Sequence, residues 1–134
     1  MDAQRLQVLL ISAREDDLAA TRDLLGLLGV GVDLHRARGA DDALRFFSPD
    51  GGIPGAAAPD LVLLDLALAG DGALAVLKAL RDHPGPARTQ VVAITDDDDA
   101  AELDMIAPFP IHDTARRPFD RITFERVIAY FGEL

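Results

Sequence analysis

Three side chains in this 134-residue sequence combine reactive chemistry with a telling position. Asp65 ends the apolar run Leu61-Val-Leu-Leu, Thr95 ends Gln90-Val-Val-Ala-Ile, and Arg117, followed by Pro118, ends the short segment that starts near Asp113. A carboxylate at the end of an apolar strand is costly to bury unless it faces a cation. A carboxylate, a hydroxyl and a guanidinium at three successive strand ends could surround one small anionic group. The plainer arrangement of the same residues is a rim ion pair between Asp65 and Arg117, with Thr95 capping the next helix.

Those positions matter only if the chain builds a sheet with its strand ends together. Leu6–Ile11, Asp60–Leu66 and Gln90–Thr95 read as short buried strands. Gly31–Ala37 reads as a weaker strand with Val32 and Leu34 alternating against polar residues. A fifth strand fits around Asp113–Arg116. Helices are expected after Asp16 or Asp17, stopping at Gly29, and over Asp41–Phe47, Ala73–Arg81, Asp97–Ile106 and Phe119–Phe131. Their Leu, Ile, Val and Phe stripes, including Leu27 and Ile122, are expected to be core. Ser48–Pro59 reads as a Gly/Pro loop and Gly70-Asp71-Gly72 as a turn. Five strand–helix alternations predict a parallel sheet covered on both faces, with ligand sites at the carboxyl ends of its strands.

Composition narrows the function. One domain spanning 1–134 suits this length. Cysteine is absent, which excludes disulfides, thiolate metal sites and cysteine nucleophiles. The formal charge of −10 opposes nucleic acid and anionic lipid as partners. No signal peptide or membrane-length apolar run is visible, so a cytoplasmic location is expected. His35, His83 and His112 lack ligand spacing and read as surface or turn residues.

The motifs taken together resemble response-regulator receiver domains over essentially the whole chain. Pro59-Asp-Leu-Val-Leu-Leu-Asp65 is similar to the segment leading to the family's phospho-acceptor aspartate. Val91-Val-Ala-Ile-Thr95 is similar to its switch strand, and Arg116-Arg-Pro-Phe-Asp120 to its Lys-Pro-Phe turn. The long Ser48–Pro59 loop and the closing Ala129-Tyr130-Phe131 run resemble the small stand-alone regulators that accompany phytochrome-type histidine kinases. The resemblance implies a flavodoxin-like (βα)5 three-layer sandwich with strand order 2-1-3-4-5 and no output domain. It also implies that Asp65 holds the phospho-acceptor position, and Thr95 and Arg117 the phosphate-contact positions.

The departures carry as much information. The family's two Mg²⁺-binding acids fall on Ser12 and Ala13, its lysine on Arg117 and its aromatic switch on Thr114. Mg²⁺ prefers near-octahedral oxygen ligands and binds through carboxylates, so Asp65 beside Ser12 and Ala13 is a poor cage, and weak Mg²⁺ binding or none is expected. Glu15, Asp16 and Asp17 read as a helix start, Asp96–Asp99 as an acidic helix start, and Arg14 as a solvated loop residue. Arg117 is expected to take the missing metal's place by a two-pronged ion pair with Asp65 that occupies both carboxylate oxygens. A receiver-like interaction module follows, with phosphorylation at Asp65 weak or absent and no enzymatic role. The alternative is a working phospho-acceptor in a two-component or phytochrome-type phosphorelay. A flavodoxin-like cofactor binder fits poorly, since the loop after the first strand carries three acids that repel phosphate. An aspartyl phosphatase of another fold usually wants an aspartate where Ala67 stands. The implied partner is a protein, either a histidine kinase or another signalling protein, and a homodimer is compatible with the same reading. A fixed contact face is expected on the closing helix, with Tyr130 and Phe131 as its apolar patch.

Overall fold

The computed structural model describes residues 6–27, 29, 31–46, 59–68, 71–82, 90–96, 104, 106–109, 111–117 and 119–129. Strand and helix alternate as β1 (Leu6–Ile11), α1 (Glu15–Leu27), β2 (Val32–Ala37), α2 (Ala40–Phe46), β3 (Leu61–Asp65), α3 (Gly72–Asp82), β4 (Gln90–Asp96), β5 (Asp113–Arg117) and α4 (Arg121–Ala129). All pairings in the five-stranded sheet are parallel, in the order β2-β1-β3-β4-β5, as the sequence and its resemblance imply.

Strand alternation splits the apolar residues between two cores. Leu9, Ile11, Val62, Leu64, Val91 and Ala93 point to one face, where α2 supplies Ala43 and α3 supplies Ala73, Val76 and Leu77. Leu6, Val8, Leu10, Leu61, Leu63, Val92 and Ile94 point to the other, where α1 supplies Leu25 and α4 supplies Phe124 and Val127. Burial on both faces explains why the inner strands are continuously apolar rather than alternating.

Helix ends follow local chemistry. Gly29 stops α1 with φ of 71° and its N–H donating to the Gly26 carbonyl, a conformation that favours glycine. Asp120 caps α4 by accepting the Thr123 N–H at 2.7 Å, so this helix starts at Arg121 rather than Phe119. Helix α1 starts at Glu15, which places Asp16 and Asp17 inside its first turn instead of at its cap. Leu27 and Ile122, expected in the core, are 64% and 72% exposed. Each lies two residues from a buried apolar residue of its helix, Leu25 or Phe124, hence about 200° round the axis at 3.6 residues per turn. Among the described residues, no helix is long and apolar enough to cross a membrane. The loop up to Ala58, most of the expected 97–106 helix, Pro110, His83, Tyr130 and Phe131 lie outside the described residues.

Candidate functional site

The register sets the carboxyl ends of β3, β4 and β5 side by side. Asp65 is opposite Ile94, Thr95 opposite Arg116, and Asp96 opposite Arg117. Asp65 and Thr95 are each only 3% exposed, in line with their position at the ends of buried strands. Ser12 follows directly on β1 and is fully buried, whereas Ala13 is exposed. Thr114 is exposed on β5 opposite Ala93, three residues before Arg117.

The Arg117 guanidinium is the centre of this cluster. Its Nη2 lies 3.1 Å from Asp65 Oδ1, so the expected ion pair forms. Its two-pronged grip, however, falls on Asp17: Nε donates to Oδ1 at 2.9 Å and Nη2 to Oδ2 at 2.6 Å. Nη1 reaches Asp96 Oδ1 at 3.2 Å. Among the described residues, the other donor to Asp65 Oδ1 is the Ala67 N–H at 2.9 Å, and none donates to Oδ2. The expectation that arginine would occupy both oxygens of Asp65 is therefore overturned. The reason is topological: β5 lies beyond β4 from β3, and α1 covers the face from which the Arg117 side chain enters. Asp17 therefore meets the fork first.

Asp17 is the site residue that sequence reasoning missed, and Asp96, at the end of the fourth strand, is one it read as the start of an acidic helix. Asp17, Thr21 and Leu25 form the buried stripe of α1, so counting back by four from Leu25 points Asp17 inward. Asp96 ends β4 instead of starting a helix, and Arg14 Nη2 bonds its Oδ2 at 3.3 Å with both side chains about half-exposed. Arg14 is therefore partnered, not merely solvated. The Ser12 hydroxyl donates to Asp17 Oδ2 at 2.6 Å and accepts the Arg14 N–H at 3.1 Å. Burial pushes the Asp17 carboxyl up, but hydrogen bonds from Arg117 and Ser12 outweigh it and hold the group below its ordinary range. Burial likewise pulls Arg117 down, and its bonds to Asp17 and Asp65 drive it above its usual value instead. Both directions stabilise the charged forms.

The donor set does not fit Mg²⁺. The ion needs several free oxygen ligands around one point. Here Ala13 offers no side-chain oxygen, the Ser12 hydroxyl is turned to Asp17, and a guanidinium nitrogen sits between the Asp17 and Asp65 carboxylates. Among the described residues, no group of three His, Asp or Glu side chains is placed to hold a metal.

No protein-family model matches the sequence, and no curated protein matches it. Solved structures do. The bacteriophytochrome response regulator AtBRR has a TM-score of 0.79 at 21% identity, covering 98% of this chain and 96% of that one. The phosphorylated cyanobacterial phytochrome response regulator RcpA has a TM-score of 0.75 at 17% identity, covering 96% and 91%. The receiver domain of the Pseudomonas aeruginosa sensor histidine kinase PA1611, solved with magnesium coordinated in its active-site cleft, has a TM-score of 0.75 at 16% identity, covering 95% and 97%. Strand order, helix placement and coverage along nearly the whole chain thus give this protein the receiver-domain fold.

Proposed function

We propose that this chain is an atypical receiver that signals through protein–protein contacts, with phosphorylation of Asp65 weak or absent. The observation that carries this reading is the Arg117 guanidinium lodged among Asp17, Asp65 and Asp96. Phosphoryl transfer to a carboxylate depends on cationic neutralisation of the transferring group, supplied by Mg²⁺ in receivers. Arg117 already neutralises the carboxylates that would hold such an ion. A partner then reads a surface that a phosphoryl group does not remodel. Likeness to phytochrome regulators suggests a histidine kinase or another signalling protein in the cytoplasm as that partner, and self-association into a homodimer fits the same role.

The second reading, a working phospho-acceptor, draws on one observation: among the described residues nothing donates a hydrogen bond to Asp65 Oδ2, which leaves that oxygen for attack on a phosphodonor. Intact mass after incubation with Mg²⁺ and acetyl phosphate separates the two. The atypical reading expects an unchanged mass, and a phosphoryl increment lost in Asp65→Asn would establish the second. The combined variant Ser12→Asp, Ala13→Asp, Arg117→Lys should regain Mg²⁺ binding by calorimetry. If it stays inert, those three positions are not the whole reason for the altered chemistry.

A further inference from the structure

Away from this cluster, α1 and the edge strand β2 enclose a groove of about 430 Å³, within the range of small-molecule sites. Leu18, Arg22 and Leu25 line one wall, and Val32, Leu34 and Arg36 the other. Their spacings, i, i+4, i+7 on the helix and i, i+2, i+4 on the strand, put each set on one face. Among the described residues no acidic side chain lines the groove, although the chain carries a formal charge of −10. Arg22 has no ion-pair partner among the described residues. Arg36 donates from Nε to the Ser12 carbonyl at 3.2 Å and from Nη1 to Glu15 at 2.9 Å. Its Nη2 is buried and has no hydrogen-bond partner, and a buried donor without an acceptor is unfavourable.

We propose that this groove binds a small carboxylate with an apolar chain. Arg36 and Arg22 take the carboxylate, while Leu18, Leu25, Val32 and Leu34 take the chain. Helix α1 runs opposite to β2, so Leu18 lies level with Arg36, and Leu25 with Val32. The groove is therefore cationic at the carboxyl end of the strand and apolar toward its start. From Val32 to Arg36 the strand rises about 13 Å, room for a medium-length acyl chain. Burial of that chain supplies affinity, and the arginines select the acid over a neutral analogue and set its direction. A phosphate group alone would leave the apolar walls unused. The site does not depend on the reading of Asp65, yet Arg36 touches the Ser12 carbonyl, so occupancy should be felt there.

Octanoate titrated into the isotope-labelled full chain tests the proposal. Amide shifts are expected along α1 and β2 and at Ser12, with octanol binding about tenfold weaker or worse. Arg22→Gln and Arg36→Gln should each weaken octanoate by about tenfold. Gly26→Leu should abolish binding without loss of thermal stability, because Gly26 lines the groove and a Cβ there meets nothing within 4 Å. If Arg36→Gln fails to fold, the other two variants decide. The proposal is overturned if no shifts occur, if octanol binds as well as octanoate, or if Gly26→Leu still binds. Binding of a Leu-Glu-Leu peptide but not of octanoate also overturns it, because the groove would then be a protein-docking surface.

Discussion

Arg117 and Arg36 stand at opposite edges of the sheet, near the ends of β5 and β2, and are equally buried, each side chain 12% exposed. Their surroundings differ in kind. Arg117 meets three carboxylates, of which Asp17 and Asp65 are 4% exposed. Arg36 meets a neutral backbone carbonyl and a glutamate that is 68% exposed, and one of its nitrogens bonds nothing. Equal burial of the same residue type therefore does not mean an equal role. A buried cation saturated by buried anions holds the fold together, whereas one left short of an acceptor keeps an unmet donor that the proposed ligand would satisfy. In water-poor surroundings a charge-assisted bond gains strength and an unmade one costs more, which widens the difference between the two arginines.

The largest test removes each guanidinium. Arg117→Met strands two buried carboxylates and should cost about 3–5 kcal/mol in urea denaturation. Arg36→Met loses a bond to a neutral carbonyl and one to an exposed acid while deleting an orphaned donor, so about 1 kcal/mol is expected. Equal losses would break the comparison. Double-mutant cycles sharpen it within the cluster. The two-pronged contact with Asp17 should couple to Arg117 by about 2–3 kcal/mol, and the single contact with Asp65 by about 1 kcal/mol. The reverse order would mean that the fork belongs to Asp65.

Acid should act through the same contacts. The Asp17 carboxyl is held below its ordinary range in the fold. Its contribution is then present above the unfolded value, about 3.9, and is lost as pH falls through the lower folded value. Thermal unfolding midpoints of the native chain should therefore drop below about pH 4, and Asp17→Asn should flatten this part of the profile. An unchanged slope in the variant would remove Asp17 from the account. Arg117 is shifted upward, so its contribution is complete below its unfolded value and no alkaline loss is expected in the working range.

Much of this was legible in the residues. The run Leu6–Ile11 gives β1 with its true ends because buried parallel strands are nearly continuously apolar. The contact between Asp65 and Arg117 was foreseeable from two opposite charges at strand ends. Asp17 was not recognised because Glu15-Asp16-Asp17 matches the acidic first turn of any helix, which the macrodipole favours. Only its alignment with Thr21 and Leu25 separates an inward acid from two outward ones. Asp96 turned on a single residue, since an acid closing a strand and an acid opening a helix look alike in a run of four. The orphaned nitrogen of Arg36 had no sequence signal at all. It depends on where the β2 edge lies under α1, a distance that pattern alone does not encode.

The smallest expected effect is at Glu15, the exposed partner of Arg36. Glu15 accepts from Arg36 at 2.9 Å and from Arg38 at 3.0 Å, and those bonds, Arg36 first, hold its carboxyl below the ordinary range. The direction of shift matches Asp17, but solvent surrounds Glu15 and salt screens it, so the pair adds little to stability. Glu15→Gln should leave the urea midpoint unchanged at physiological ionic strength. It should also strengthen octanoate binding, because Glu15 competes with the ligand carboxylate for Arg36. A loss of stability as large as that of Asp17→Asn would make Arg36 a second Arg117, bound into the fold by its acid. Unchanged stability with weaker octanoate binding would show instead that Glu15 orients Arg36 toward the groove rather than drawing it away.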